Sequence, residues 1–121
     1  SSMTPTIVED KEGDLFLVVG SPGGSTIITT VAQIISNVID YKMPLKDAVE
    51  SSRTHHQWLP DKIFLENRMF SRDIINKLID LGHNIDYKNS IGEANCIMYD
   101  SKSKIFLGVS DSRRNGSAIG Y

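Results

Sequence analysis

The sequence predicts an α+β fold in which helices pack on a largely antiparallel sheet. Three observations predict it. Short apolar runs of strand length cluster at the two ends of the chain. Segments of helical period lie between them. The element order, ββ then αα, a short β, α, and two or three β, lacks the regular β–α alternation of a parallel sheet. With 121 residues, 40% of them hydrophobic, residues 1–121 are expected to form one domain with a buried core.

The elements follow in order. Residues 6–8 are β-prone, residues 9–14 (EDKEGD) read as a turn around Gly13, and residues 15–19 (LFLVV) form a continuous apolar run. Together they predict a hairpin whose second strand is buried on both faces. Residues 20–25 (GSPGGS) break the pattern. Ile27, Ile28, Val31, Ile34, Ile35, Val38 and Ile39 then recur at helical spacing for three turns. β-Branched residues lower intrinsic helix propensity, so packing must hold this helix. Pro44 suits the first turn of a second helix through about Ser51, with Leu45, Ala48 and Val49 inward.

Residues 55–61 (HHQWLPD) read as irregular because Pro60 excludes regular helix. Residues 63–65 suggest a short strand. Ser71 caps a third helix with Ile74, Ile75, Leu78 and Ile79 on its apolar face, and Gly82 ends it. Residues 84–87, 94–99 and 105–109 read as strands, with the turn DSKSK at 100–104 between the last two. There is no internal repeat.

Composition excludes several classes. A net charge of −2 without a basic stripe gives no reason to expect a nucleic-acid partner. No apolar run approaches the ~18 residues of a membrane span. No signal peptide is visible, and the beginning reads as the middle of a longer protein. The single cysteine, Cys96, cannot form an internal disulfide and reads as a small core residue. His55-His56 is not a convincing metal pair, since adjacent side chains diverge and no Asp, Glu or Cys stands at ligand spacing. Neither a metal nor another cofactor is expected. Asp111 with Arg113 and Arg114 suggests a loop salt bridge or a surface contact, and Glu66 and Asp61 read as solvated carboxylates.

One loop carries chemistry. At Gly20-Ser21-Pro22-Gly23-Gly24-Ser25 a strand enters a glycine turn that opens a helix. Glycines let backbone N–H groups approach a ligand closely. The first N–H groups of a helix lack intrahelical partners and sit at the positive end of its dipole. Such a turn can present donors to an anion or to an oxygen that becomes negative during reaction. From these residues alone, a tight turn that needs glycine only for its geometry is the favoured reading. It is neither a P-loop nor a dinucleotide fingerprint, since both consensus spacings are absent. Ser1-Ser2, before an extended segment, can bind a carboxylate or simply form a flexible terminus. Ser1 as an N-terminal nucleophile rests on position alone.

Several segments in order resemble the gamma-glutamyltranspeptidase family: Ser1-Ser2-Met3-Thr4-Pro5-Thr6-Ile7, then Gly20-Ser21-Pro22-Gly23-Gly24-Ser25 with Ile27-Ile28-Thr29-Thr30-Val31, then Asn37-Val38-Ile39-Asp40, then His55-His56-Gln57-Trp58-Leu59-Pro60-Asp61, and finally residues 108–121. Each motif is weak alone; the ordered set is specific. The resemblance implies part of an N-terminal-nucleophile hydrolase αββα sandwich and places the chain in the C-terminal part of the small subunit. It implies cleavage of γ-glutamyl amides such as glutathione through a threonyl acyl-enzyme, with transfer to water, an amino acid or a peptide. Gly23 and Gly24 then correspond to the oxyanion hole, and Ser1 and Ser2 to the site for the substrate's α-carboxylate, which disfavours Ser1 as nucleophile.

The family's Thr-Thr-His-type nucleophile segment has no counterpart here, since Thr29-Thr30 is followed by Val31 inside the long helix. The 121 residues alone are therefore expected to be inactive. The implied partners are a γ-glutamyl compound, the large subunit and the remainder of the small subunit. Self-association through uncovered edges and faces is also expected. The resemblance suggests a periplasmic, secreted or cell-surface location. A reading of another class stays open: a standalone, non-catalytic binding or assembly module that keeps the family's core.

Overall fold

The structure is a computed structural model that describes residues 5–67 and 70–120. Its elements are β1 (Thr6–Glu9), β2 (Leu15–Gly20), α1 (Thr26–Ile39), α2 (Leu45–Glu50), β3 (Thr54–His55), β4 (Ile63–Glu66), α3 (Arg72–Asp80), β5 (Ile85–Lys88), β6 (Asn95–Asp100) and β7 (Ile105–Ser110). They fall into two compact units, one of residues 1–51 with 92–121 and one of residues 52–91.

The larger unit holds an antiparallel sheet of order β1-β2-β6-β7 with α1 and α2. The turn before β2 forms as read: the Asp10 carboxylate accepts the N–H groups of Glu12 and Asp14, each at 2.9 Å. Pairing of Val19 with Cys96 and of Cys96 with Val109 puts Leu17, Val19, Cys96 and Val109 on one face. That face meets Ile27, Ile34 and Val38 of α1 and Leu45, Ala48 and Val49 of α2. Burial of this stripe overrides the weak propensity of a β-branched helix. Cys96 is a free thiol within this core, 3% exposed.

The expectation that β2 is buried on both faces fails. Leu17 and Val19 are fully buried, whereas Phe16 and Val18 on the opposite face are only half-buried. Both helices lie on one side. On the other, Ile7, Ile97 and Phe106 stay 66%, 48% and 65% exposed, so the apolar run serves a face that the described residues leave largely open.

In the smaller unit, β3 pairs antiparallel with β4, and β4 pairs parallel with β5 across α3. Among the described strands this is the one parallel pair, and it needs the crossover that α3 provides. Helix α3 starts and stops as its sequence predicts. Ser71 Oγ accepts the Ile74 N–H at 3.4 Å, while the Gly82 and His83 N–H groups donate to the Ile79 and Leu78 carbonyls at 2.8 and 3.1 Å. The run from residue 55 is less irregular than its proline suggests, since His55 belongs to β3.

Glu66 corrects another expectation. It is 6% exposed rather than solvated, and its carboxylate accepts the N–H groups of Arg53 at 2.9 Å and Ile91 at 2.7 Å. Arg53 Nη1 donates to the Ile91 carbonyl at 2.9 Å, so these two buried charged residues tie the beginning and end of the smaller unit together.

An exposed pair in this unit yields a pH prediction. The Tyr87 N–H and then the Lys62 ammonium, 3.1 Å away, hold the Asp86 carboxyl below its ordinary value of 3.8. A depressed carboxyl contributes stability that is present above its unfolded value and lost as pH falls through its folded value. Carboxyl NMR titration should place the Asp86 midpoint below 3.8, and Lys62→Met should move it upward.

Candidate functional site

Strand β2 delivers the chain to the glycine loop. Ser21, directly after the strand, is fully buried, whereas Gly23 and Gly24 are exposed. Gly23 has φ +138° and Gly24 φ +60°, conformations that β-carbon-bearing residues rarely adopt. A Cβ at Gly23 would also lie 2.5 Å from Thr26 Oγ1. The turn therefore requires glycine there on two separate grounds.

The carbonyls of this loop are held and its amides are free. The Gly23 carbonyl accepts both the N–H and the hydroxyl of Thr26, at 3.2 and 3.0 Å, and the Gly24 carbonyl accepts the Ile27 N–H at 3.2 Å. Among the described residues, neither the Gly23 nor the Gly24 N–H donates to a partner. Ser25 precedes α1 without a side-chain cap, and the first turn carries no acidic residue. Two adjacent N–H groups thus stand open at the positive end of a 14-residue helix whose first turn holds no carboxylate. Such a pair can bind an anion or stabilise a developing oxyanion.

A second turn backs this loop. Ser21 Oγ donates to the Pro22 carbonyl at 2.7 Å and accepts the Glu93 N–H at 2.9 Å. Gly92, at φ +70°, has no room for a Cβ, which would lie 2.4 Å from Thr30 Oγ1 and 2.9 Å from Ser21 Oγ. Its Cα stands 3.7 Å from the position a Cβ would take on Gly23. Sequence reading missed this buttress. Gly92 before β6 is a visible signal, but nothing in the sequence pairs it with a loop some seventy residues earlier.

Asp111 and Arg113 do form a loop salt bridge, at 3.0 Å, and it is buried rather than superficial. The Asp111 carboxylate also accepts the Ala94 N–H at 2.9 Å and the Arg113 N–H at 3.0 Å. The Arg113 guanidinium donates to the Val49 and Ser51 carbonyls at 3.1 and 2.8 Å, satisfying the open end of α2. Ser112 adds its N–H at 3.0 Å, and its hydroxyl, to the Glu50 carboxylate. This network sets structure rather than chemistry.

Ser1 and Ser2 lie outside the described residues. Pro5 is described, and it sits against Gly20 at the base of the loop, where a Cβ on Gly20 would be 3.6 Å from Pro5 Cα. His55 Nε2 lies 2.9 Å from Gln57 Oε1 and His56 Nε2 3.3 Å from Asp61 Oδ1. Among the described residues no three His, Cys, Asp or Glu side chains gather at metal-binding distance.

A family model described as Gamma-glutamyltranspeptidase matches residues 1–121. The glutathione hydrolase proenzyme of Escherichia coli K12 is 44% identical over 113 residues, which cover 93% of this chain and 19% of that protein. The glutathione hydrolase proenzyme of Bacillus subtilis 168 is 41% identical over 121 residues, covering 99% of this chain and 20% of that one. The solved structure of the Helicobacter pylori gamma-glutamyltranspeptidase T380A mutant superposes with a TM-score of 0.88 at 46% identity, covering 94% of this chain and 62% of that chain. The chain thus spans about a fifth of the length of the curated relatives it matches.

Proposed function

The chain belongs to the gamma-glutamyltranspeptidase family, and we propose that it serves, within its intact protein, as the oxyanion-stabilising and carboxylate-binding part of a site that cleaves γ-glutamyl amides such as glutathione. Its fold is part of the α+β N-terminal-nucleophile architecture of that family. A threonine outside these 121 residues attacks the γ-glutamyl carbonyl through its hydroxyl oxygen. As the C–O bond forms, the carbonyl π electrons move onto oxygen, and the N–H groups of Gly23 and Gly24 meet that charge. Collapse breaks the C–N bond, the amine leaves with a proton, and an ester remains. Water, an amino acid or a peptide then attacks the ester and releases the threonine.

The observation that carries this reading is the pair of free, exposed N–H groups at Gly23 and Gly24, ahead of a helix whose first turn holds no acid. Preorganised donors of this kind stabilise an oxyanion without reorganising during the reaction. The carboxylate site at Ser1 and Ser2 rests on the resemblance of Ser1-Ser2-Met3-Thr4-Pro5 to the family's segment. The proposed partners are a γ-glutamyl compound, a large subunit and the remainder of the small subunit, which supplies the nucleophile.

The test is direct. The intact protein is expected to turn over a chromogenic γ-glutamyl anilide, and the isolated 121-residue chain is not. Turnover by the isolated chain would overturn the assignment of the nucleophile to a residue outside it. The isolated chain is also expected to self-associate, because the face bearing Ile7, Ile97 and Phe106 is largely open. A clean monomer by light scattering at high concentration would refute that expectation.

A further inference from the structure

The geometry points to Ser21 and Thr26 as positioning residues that aim the two proposed oxyanion donors, an inference that rests on the oxyanion reading of Gly23 and Gly24. A trans peptide unit directs its C=O and N–H to opposite sides. The only cis bond among the described residues is Leu59-Pro60, so both peptides of the glycine turn are trans. Whatever holds the carbonyl of residue i therefore aims the N–H of residue i+1.

Each donor has such a holder. The Ser21 hydroxyl donates to the Pro22 carbonyl at 2.7 Å, and Ser21 is fully buried. The Pro22–Gly23 carbonyl is thereby turned toward the interior and the Gly23 N–H outward. The Thr26 hydroxyl, on a residue 7% exposed, donates to the Gly23 carbonyl at 3.0 Å beside the Thr26 N–H at 3.2 Å. The Gly23–Gly24 carbonyl is held against the first turn of α1 and the Gly24 N–H faces away. The Glu93 N–H, donating to Ser21 Oγ at 2.9 Å, fixes the Ser21 hydroxyl oxygen and leaves its proton for Pro22. Glycine conformations are otherwise permissive, so these two hydroxyls narrow the donor alignment, the Thr26 one in addition to the Thr26 N–H.

Both side chains are buried with their hydroxyls turned to loop carbonyls, so both are assigned an effect on the transition state through the backbone. The test uses the intact protein, with Ser21→Ala, Thr26→Val and Thr26→Ser variants. A γ-glutamyl anilide reads kcat and KM. A boronic acid analogue of glutamate, whose boron becomes tetrahedral on the nucleophile, reads oxyanion stabilisation, and glutamate reads ground-state binding. Thr26→Val and Ser21→Ala are each expected to lower kcat about tenfold with KM within about twofold, since mis-aiming a donor removes an interaction made only in the transition state. Boronate affinity should fall by the same factor and glutamate affinity should stay. Thr26→Ser, which keeps the hydroxyl, should restore kcat.

If both hydroxyl deletions leave kcat within about twofold of the parent while Gly23→Ala loses about 100-fold or more, the positioning role is overturned and the oxyanion reading stands. If Gly23→Ala also leaves kcat and boronate affinity intact, the oxyanion reading falls and this inference with it. An equal loss of glutamate affinity marks a merely structural role and overturns the inference. Should Ser21→Ala fail to fold, the Thr26 pair decides alone.

Discussion

Replacing Gly23 by alanine in the intact protein is expected to lower kcat about 100-fold or more, the cost of losing an oxyanion donor. Two independent features drive the loss. The φ of +138° is closed to alanine, and the new Cβ would meet Thr26 Oγ1 at 2.5 Å. The loop must shift, and with it the Gly23 and Gly24 N–H groups. KM for a γ-glutamyl anilide should change far less than kcat, because the donors act on charge that develops in the transition state. Steady-state kinetics on the intact protein check this. A kcat near the parent's, with the substitution verified by mass spectrometry, would remove these glycines from the chemistry.

Replacing Asp111 by alanine should destabilise the protein by about 3–5 kcal/mol, the typical cost of removing one member of a buried ion pair. Asp111 is 1% exposed and the Arg113 side chain 12%. Without the carboxylate, the guanidinium loses this charge partner while keeping its bonds to the Val49 and Ser51 carbonyls, and the Ala94 N–H loses its acceptor. Asp111→Asn keeps the volume but cannot accept from every donor, so it should recover only part of the loss. Urea denaturation of the parent and both variants measures the difference. Equal stability of all three would show that water replaces the carboxylate without cost.

Periodic segments were legible because burial imprints a period on the residues. The stripe from Ile27 to Ile39 gave α1, and Ser71 with Gly82 bracketed α3. The hairpin of β1 and β2 and the pairing of β6 with β7 followed from short runs joined by polar turns. The run at residues 15–19 misled, because an apolar run cannot say whether its second face is covered within the same stretch of chain. Glu66 misled for a related reason. A carboxylate reads as solvated until backbone N–H groups distant in sequence converge on it.

The opening of the site divides the same way. By itself the sequence determined that a glycine turn leads from a strand into a helix at residues 20–26, and the ordered motifs determined the family. Local chemistry suffices for both, since backbone geometry and residue order are written along the chain. Only the tertiary structure decided which loop atoms are held and which are free. The Ser21 hydroxyl meets the Glu93 N–H across 72 positions, only glycine fits at 92 because Thr30 and Ser21 would crowd a Cβ there, and Asp111 ties residue 94 to the end of α2 through Arg113. These contacts join segments with no shared period or motif, so packing alone brings them together and leaves the Gly23 and Gly24 N–H groups open.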